Sequence, residues 1–282
     1  MTAPPAPPPP ADNLMKWPDL LERTRPEPDA IVRYGPAALQ VVDVWLPKGK
    51  GPHPVVLMVH GGCWQSDVAD RRIMNWIADD LRKRGIAVWN IDYRGVDRDG
   101  GGYPGTFLDA AAAADALRAH AGEYRLDLHR LVAMGHSAGG HLALWLAGRP
   151  RLPKESPLRT ANPLPIRHVI SSGGLPDLEA AAGPEASGCG REVIDKISGG
   201  GRWAETSVPR LAPLGVRQVL VNGLQDRIVP ASYPGNYARQ MRAAGDAVAV
   251  QSIDHTGHVE LIAPETAAWA TTVKEIDAAL RR

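Results

Sequence analysis

The chain lacks a charge imbalance, a long apolar run and a framework of cysteines. Its 282 residues hold 32 Lys and Arg against 31 Asp and Glu, a net charge of +1. That balance excludes electrostatic capture of a polyanion as a first reading, so no nucleic-acid partner is expected. No apolar run approaches the roughly 18 residues of a membrane-crossing helix, so no span is expected. The N-terminus, Met1 to Pro10, has neither a basic segment nor an apolar one, and so does not read as a secretory signal. Two cysteines, Cys63 and Cys189, lie far apart with no C-x-x-C, which gives a disulfide no support. Such usage suits a reducing compartment, and a cytoplasmic location is the expectation. His53, His120, His129, His141 and His168 are scattered without ligand spacing, so no metal is expected. Gly100-Gly101-Gly102 follows no strand and lacks a Walker lysine, which excludes a phosphate loop.

What is present is an alternation of strand and helix patterns. Residues 1–13 are rich in proline, which removes backbone donors and favours polyproline II, so they read as a disordered tail. Leu39 to Trp45 reads as an early antiparallel strand. Val55 to His60 is a continuous apolar run rich in β-branched residues, as in a strand buried on both faces. Ile73, Trp76, Ile77 and Leu81 form a helical stripe that Gly85 ends. Further strands are expected at Ile86–Ile91, Arg130–Met134, Arg167–Ser171, Gln218–Asn222 and Ala247–Val250. Helices are expected at Phe107–His120, Tyr233–Ala244 and Pro264–Leu280. Repeated βα units predict an α/β fold with a doubly wound, mostly parallel sheet. Two stretches break the rhythm: about 149–165, rich in proline, and about 176–213, rich in glycine. Both read as pieces of a small cap, with the cap insertion at about 176–213 of a single domain over 14–282.

Gly135-His136-Ser137-Ala138-Gly139-Gly140 joins a strand pattern to a helix pattern. A serine flanked by glycines at such a junction is a G-x-S-x-G nucleophile elbow, whose sharp turn lifts the hydroxyl above the sheet edge. A serine hydroxyl needs a base, and the base needs an acid to orient it. Asp226 follows the strand ending at Asn222, and His258 follows the last strand. Asp92 and Asp177 also follow strands, and His255 competes with His258. Gly257 allows a tight turn that presents His258. Asp254 and Glu260 read as solvated charges. His60-Gly61-Gly62-Cys63-Trp64, at the end of another strand, supplies a loop whose backbone can approach a substrate carbonyl. Trp64 reads equally as pocket wall or core. Asp92-Tyr93-Arg94-Gly95 is placed to brace that loop, with Tyr93 also a pocket candidate.

Together these residues resemble the α/β-hydrolase superfamily, from about residue 35 to the C-terminus. Within it, the His60–Trp64 loop and the Ser137 elbow are similar to two branches: carboxylesterases of the hormone-sensitive-lipase-like and feruloyl-esterase-like kind, and kynurenine formamidases (arylformamidases), whose loop is H-G-G-x-W. Cys63 departs from the third glycine of the first branch and fits the x of the second. The resemblance implies the chain order Ser, Asp, His. Asp92, which precedes the serine, is then out of order, while Asp177 keeps a position that some such folds use. It implies a catalytic triad of Ser137, Asp226 and His258, and no cofactor. It also implies an oxyanion hole from the amides of Gly62, Cys63 and Ala138, with Gly61 shaping the turn. The expected function is hydrolysis of a small ester of short or aryl acyl type through an acyl-enzyme, by a monomer or homodimer. N-formyl aryl amides are the alternative substrate, and a binding module without catalysis is the minor one.

Overall fold

The computed structural model describes residues 14–183 and 188–281. The proline-rich tail expected at 1–13 lies outside them. The chain opens with a short helix, α1 (Trp17–Leu21), then two strands, β1 (Ala30–Arg33) and β2 (Val41–Trp45). β3 (His53–Val59), α2 (Asn75–Lys83), β4 (Ala87–Ile91), α3 (Gly105–His120), β5 (Leu126–His136) and α4 (Ala138–Gly148) follow. After β6 (His168–Ser172) come three short helices, α5 (Leu178–Ala181), α6 (Arg191–Ser198) and α7 (Trp203–Thr206). β7 (Arg217–Gly223), α8 (Ser232–Ala243), β8 (Ala247–Ile253) and α9 (Ala267–Leu280) complete the fold.

All eight strands form one sheet in the order β1-β2-β4-β3-β5-β6-β7-β8. β2 runs antiparallel to both neighbours, and the pairs from β4 to β8 are parallel. The antiparallel β2 was expected from Leu39–Trp45; it pairs Val42 with Ile91 and Val44 with Trp89. The strand pleat divides the apolar run of β3. Val55, Leu57 and Val59 enter the core on one face, and Val56 and Met58 enter it on the other. α3, α4 and α8 cover the first face, with Phe107, Leu142 and Tyr237. α2 and α9 cover the second, with Ile77 and Trp269, and Leu20 of α1 joins them. The strand order reverses beside β3, since β4 lies on one side of it and β5 on the other. Ligands of open α/β sheets bind at such a crevice, outside the carboxyl ends of the strands.

The 149–165 stretch differs from its expected part in a cap. It runs back beside α3 and α4, where Arg149 pairs with Asp115 and bonds Thr160, and Leu164 N–H donates to Asp115. α7 is fastened to α4 by the indole N–H of Trp145, which donates to Glu205 O at 2.8 Å, and by His141. No helix among the described residues is long and apolar enough to cross a membrane.

Candidate active site

β5 ends at His136, and α4 begins at Ala138. Ser137, between them, has φ +54° and ψ −123°. A non-glycine residue rarely holds such a φ, so the turn stores strain that its surroundings must enforce. The enforcement is visible. The Ser137 N–H donates to Ser172 O on the neighbouring strand at 2.9 Å. The backbone packs so tightly that a Cβ on Gly135 would lie 2.0 Å from Gly139 O, and one on Gly139 would lie 2.1 Å from Val59 O. Only glycine permits this crossing. The first amides of a helix have no intrahelical acceptor, so the Ala138 N–H at the start of α4 is available to a ligand.

His258 and Asp226 come from the loops after β8 and β7. His258 Nδ1 lies 2.6 Å from Asp226 Oδ2, with the two side chains 8% and 1% exposed. The other oxygen, Asp226 Oδ1, accepts from the N–H groups of Ile228 and Val229 at 2.8 and 3.0 Å. The carboxylate is therefore oriented by its own turn before it meets the imidazole. The turn that presents His258 is not made as expected from Gly257. The residue with left-handed φ is His255, at +50°.

The rival acids have other partners. Asp92 accepts from Arg71 at 2.8 Å and faces His60 Nε2 at 3.0 Å. Asp177 caps α5 through Ala180 N and takes further bonds from Ser207 and Gln240. His255 is exposed beside Asp254.

The His60–Trp64 loop passes directly over the elbow: a Cβ on Gly61 would lie 2.9 Å from Ser137 Cβ. Gly62, Cys63 and Trp64 are consecutively left-handed, with φ of +104°, +51° and +53°. The loop is braced from below. His60 stacks on Tyr93 at 4.3 Å, the Tyr93 hydroxyl donates to His60 O at 3.0 Å, and Asp92 holds the ring. Tyr93 is thus a fully buried brace and not a pocket wall.

The cysteines correct the sequence reading. Cys63 and Cys189 form a disulfide across 126 residues of chain. It ties the glycine loop to the segment before α6, and Cys63 holds no thiol.

Ser137, His258, Gly62 and Cys63 face one cavity of about 210 Å³. Leu21, Val68 and Ile73 are among its apolar walls. None of its lining residues comes from the described part of 176–213; α1 and the stretch 68–73 stand there instead. That segment reaches the site through the disulfide.

The sequence matches the BD-FAE family over residues 42–197, more than half of the chain and inclusive of the glycine loop and the elbow. The chain belongs to the BD-FAE family, of the α/β-hydrolase esterases. It is also 34% identical over 111 residues to a probable isoprenylcysteine alpha-carbonyl methylesterase of Arabidopsis thaliana, 39% of this chain. The chain spans about a fifth (22%) of that relative's length. Among solved structures, esterase B of Lactobacillus rhamnosis superposes with a TM-score of 0.74 at 21% identity, over 91% of this chain and 88% of the other. A truncated carbohydrate esterase from gut microbiota gives 0.72 at 19% identity, over 89% and 95%. A thermophilic esterase of Thermogutta terrifontis gives 0.68 at 19%, over 89% and 91%. At these identities the likeness establishes the α/β-hydrolase fold.

Of the two readings of Trp64, pocket wall and core, this BD-FAE member shows the core. It is fully buried in the core, and its indole N–H donates to His141 Nδ1 at 3.3 Å. His141 Nε2 donates to Thr206 O at 2.8 Å, so both nitrogens are satisfied, and burial pushes the ring's pKa down to about 4.

Two residues at the site escaped sequence reasoning. His136 lies tilted against His258 with ring centroids 4.5 Å apart, and its Nε2–H donates to His258 O at 3.1 Å. Burial and the neighbouring imidazole hold its pKa well below the usual histidine range. Its place as the x of G-x-S-x-G was the only signal. Glu260, expected as a solvated charge, is 6% exposed, and its carboxylate accepts the N–H groups of Gly257 and Met15. The third turn position after Gly257 is a weak signal for the first bond; nothing in the sequence marks the second.

Proposed function

We propose that this protein hydrolyses carboxylic esters of small molecules with short acyl groups, through Ser137, His258 and Asp226. The observation that carries the reading is the 2.6 Å His258–Asp226 pair opening onto the same cavity as the strained Ser137. Ser137 Oγ attacks the acyl carbonyl while His258 takes its proton. Asp226 fixes the imidazole tautomer and stabilises its charged form. The amides of Gly62, Cys63 and Ala138 hold the oxyanion, each worth about 3–4 kcal/mol in the transition state. His258 then returns the proton to the leaving alcohol, and water repeats the sequence on the acyl-enzyme. The roughly 210 Å³ cavity falls below the range of about 300–1,000 Å³ usual for drug-sized ligands, which favours short acyl groups. The Arabidopsis relative is named a methylesterase, which agrees with an ester substrate.

N-formyl aryl amides are a second reading, favoured by the same small cavity, because a formyl group fits within it. The burial of Trp64 weakens that reading, since the tryptophan of the H-G-G-x-W loop is not there to meet an aromatic amine. A disulfide such as Cys63–Cys189 persists in oxidising surroundings, which weighs against the cytoplasm as the place of action. The test is kcat/KM for p-nitrophenyl acetate against N-formylkynurenine, with Ser137→Ala as the blank. A large preference for the ester supports the proposal; a large preference for the formamide replaces it with the second reading.

A further inference from the structure

α1 presents Trp17 to the site from outside the sheet. The indole stands edge-on to His258, with ring centroids 6.4 Å apart and planes at 76°, and edge-on to His136 at 6.4 Å and 72°. It is 36% exposed, so packing of the core does not account for its place. Two cavities meet at it. One is the roughly 210 Å³ apolar cavity that holds Ser137 and the glycine loop. The other, about 660 Å³ and more polar, is lined by Gln225, Arg227 and Val259, and by neither Ser137 nor the glycine loop. Trp17, Ile228 and His258 line both.

The backbone just before the indole is tied to the loop that carries the histidine. Glu260 Oε1 accepts the Met15 N–H at 2.6 Å, while Oε2 accepts the Gly257 N–H at 3.0 Å. One buried carboxylate thus clasps the N-terminal segment to the residue before His258. Bonds from N–H groups to an ionised carboxylate are the stronger kind, and desolvation raises the cost of breaking them. Leu20, fully buried, and an ion pair between Arg23 and Glu265 anchor the far end of α1.

Resting on the proposed hydrolase reading, we propose that Trp17 is the wall that sets the acyl-length limit. It separates a short acyl lobe from a roomier leaving-group lobe, and Glu260 is the positioning residue that holds it. The assignment of lobes follows from the chemistry. The oxyanion donors and nucleophile face the small lobe, so the acyl group lies there. His258 must give its proton to the leaving group, and of Ser137, Asp226 and His258 the larger lobe is lined by His258. With the indole removed, the two lobes become continuous, and a longer acyl chain gains room along Ile228, which lines both.

The experiment measures kcat/KM for p-nitrophenyl acetate, butyrate and hexanoate in the wild type, Trp17→Ala, Trp17→Phe, Glu260→Gln and Ser137→Ala. Each methylene that gains a buried site is worth about fourfold, so Trp17→Ala is expected to raise the hexanoate-to-acetate ratio by about tenfold or more. Trp17→Phe restores most of the wild-type ratio, and Glu260→Gln falls between. A ratio within about twofold of wild type in Trp17→Ala, or a proportional loss on all three esters, overturns the proposal. If Ser137→Ala is inactive and the ratios do not move, only this inference fails. If Ser137→Ala keeps wild-type turnover, the hydrolase reading fails and takes this one with it.

Discussion

Asp226 divides its two oxygens between two tasks, and that division makes its role separable from folding. Oδ1 accepts from Ile228 and Val229, and Oδ2 meets His258. In Asp226→Asn the side-chain oxygen keeps the backbone contacts, so the fold survives. The amide then donates towards His258 Nδ1 and selects the wrong tautomer for a base. The expected loss in kcat is about 10⁴-fold with thermal stability nearly unchanged; a loss below tenfold in steady-state kinetics would contradict the role. His141 gives a prediction in pH. Its folded pKa, about 4, lies below the ordinary 6.5 because it is buried neutral. Below pH 6.5 the unfolded chain takes up a proton that the folded chain refuses, so stability present above that pH is lost as the pH falls towards 4. The loss is roughly 3 kcal/mol. Urea midpoints between pH 7 and pH 4 should fall more steeply for the wild type than for His141→Gln; parallel curves would refute this. Ser137 was legible as a residue because its neighbours in sequence are its neighbours in space. Glu260 was not, because one of its partners, Met15, lies far away in the chain.

At the scale of elements, β3 and β5 were legible because a strand buried on both faces leaves a continuous apolar run. The first residues of β5 were not: it starts at Leu126, which pairs with His53 ahead of a break in register at Pro54/Val55. α1, five residues long, has too little periodicity to announce itself. The 176–213 segment was expected to roof the site, and its link to the site proves to be Cys189. Two cysteines without a spacing motif give no sequence signal for pairing, since pairing depends on where loops from different strands converge. The bridge fastens a loop with three successive left-handed residues, so it is expected to hold the proposed oxyanion donors as well as the fold. Reduction, or Cys189→Ser, should cost about 2–4 kcal/mol in stability and lower kcat more than it raises KM. Calorimetry with p-nitrophenyl acetate kinetics checks both. A reduced protein with unchanged kcat would show that the loop keeps its shape without the bridge.

At the scale of the molecule, one sheet brings together groups that the chain separates widely. The glycine loop after β3, the elbow after β5 and the loops after β7 and β8 all open at the carboxyl edge, where the strand order reverses. Each was readable because the βα rhythm assigns every strand its direction, and hence the edge at which its loop emerges. What closes the cavity was not readable, because α1 and the 68–73 stretch are placed by long-range packing of Leu20 and Met74 against the second face. Pre-steady-state kinetics test whether Ser137 is the nucleophile of an acyl-transfer site. On mixing with p-nitrophenyl acetate, the wild type should release about one equivalent of p-nitrophenol per protein in a burst, as an accumulating acyl-enzyme requires. Ser137→Ala, with an unchanged circular dichroism spectrum, should show neither burst nor turnover. A burst and turnover at wild-type level in pure Ser137→Ala would mean that another residue is the nucleophile.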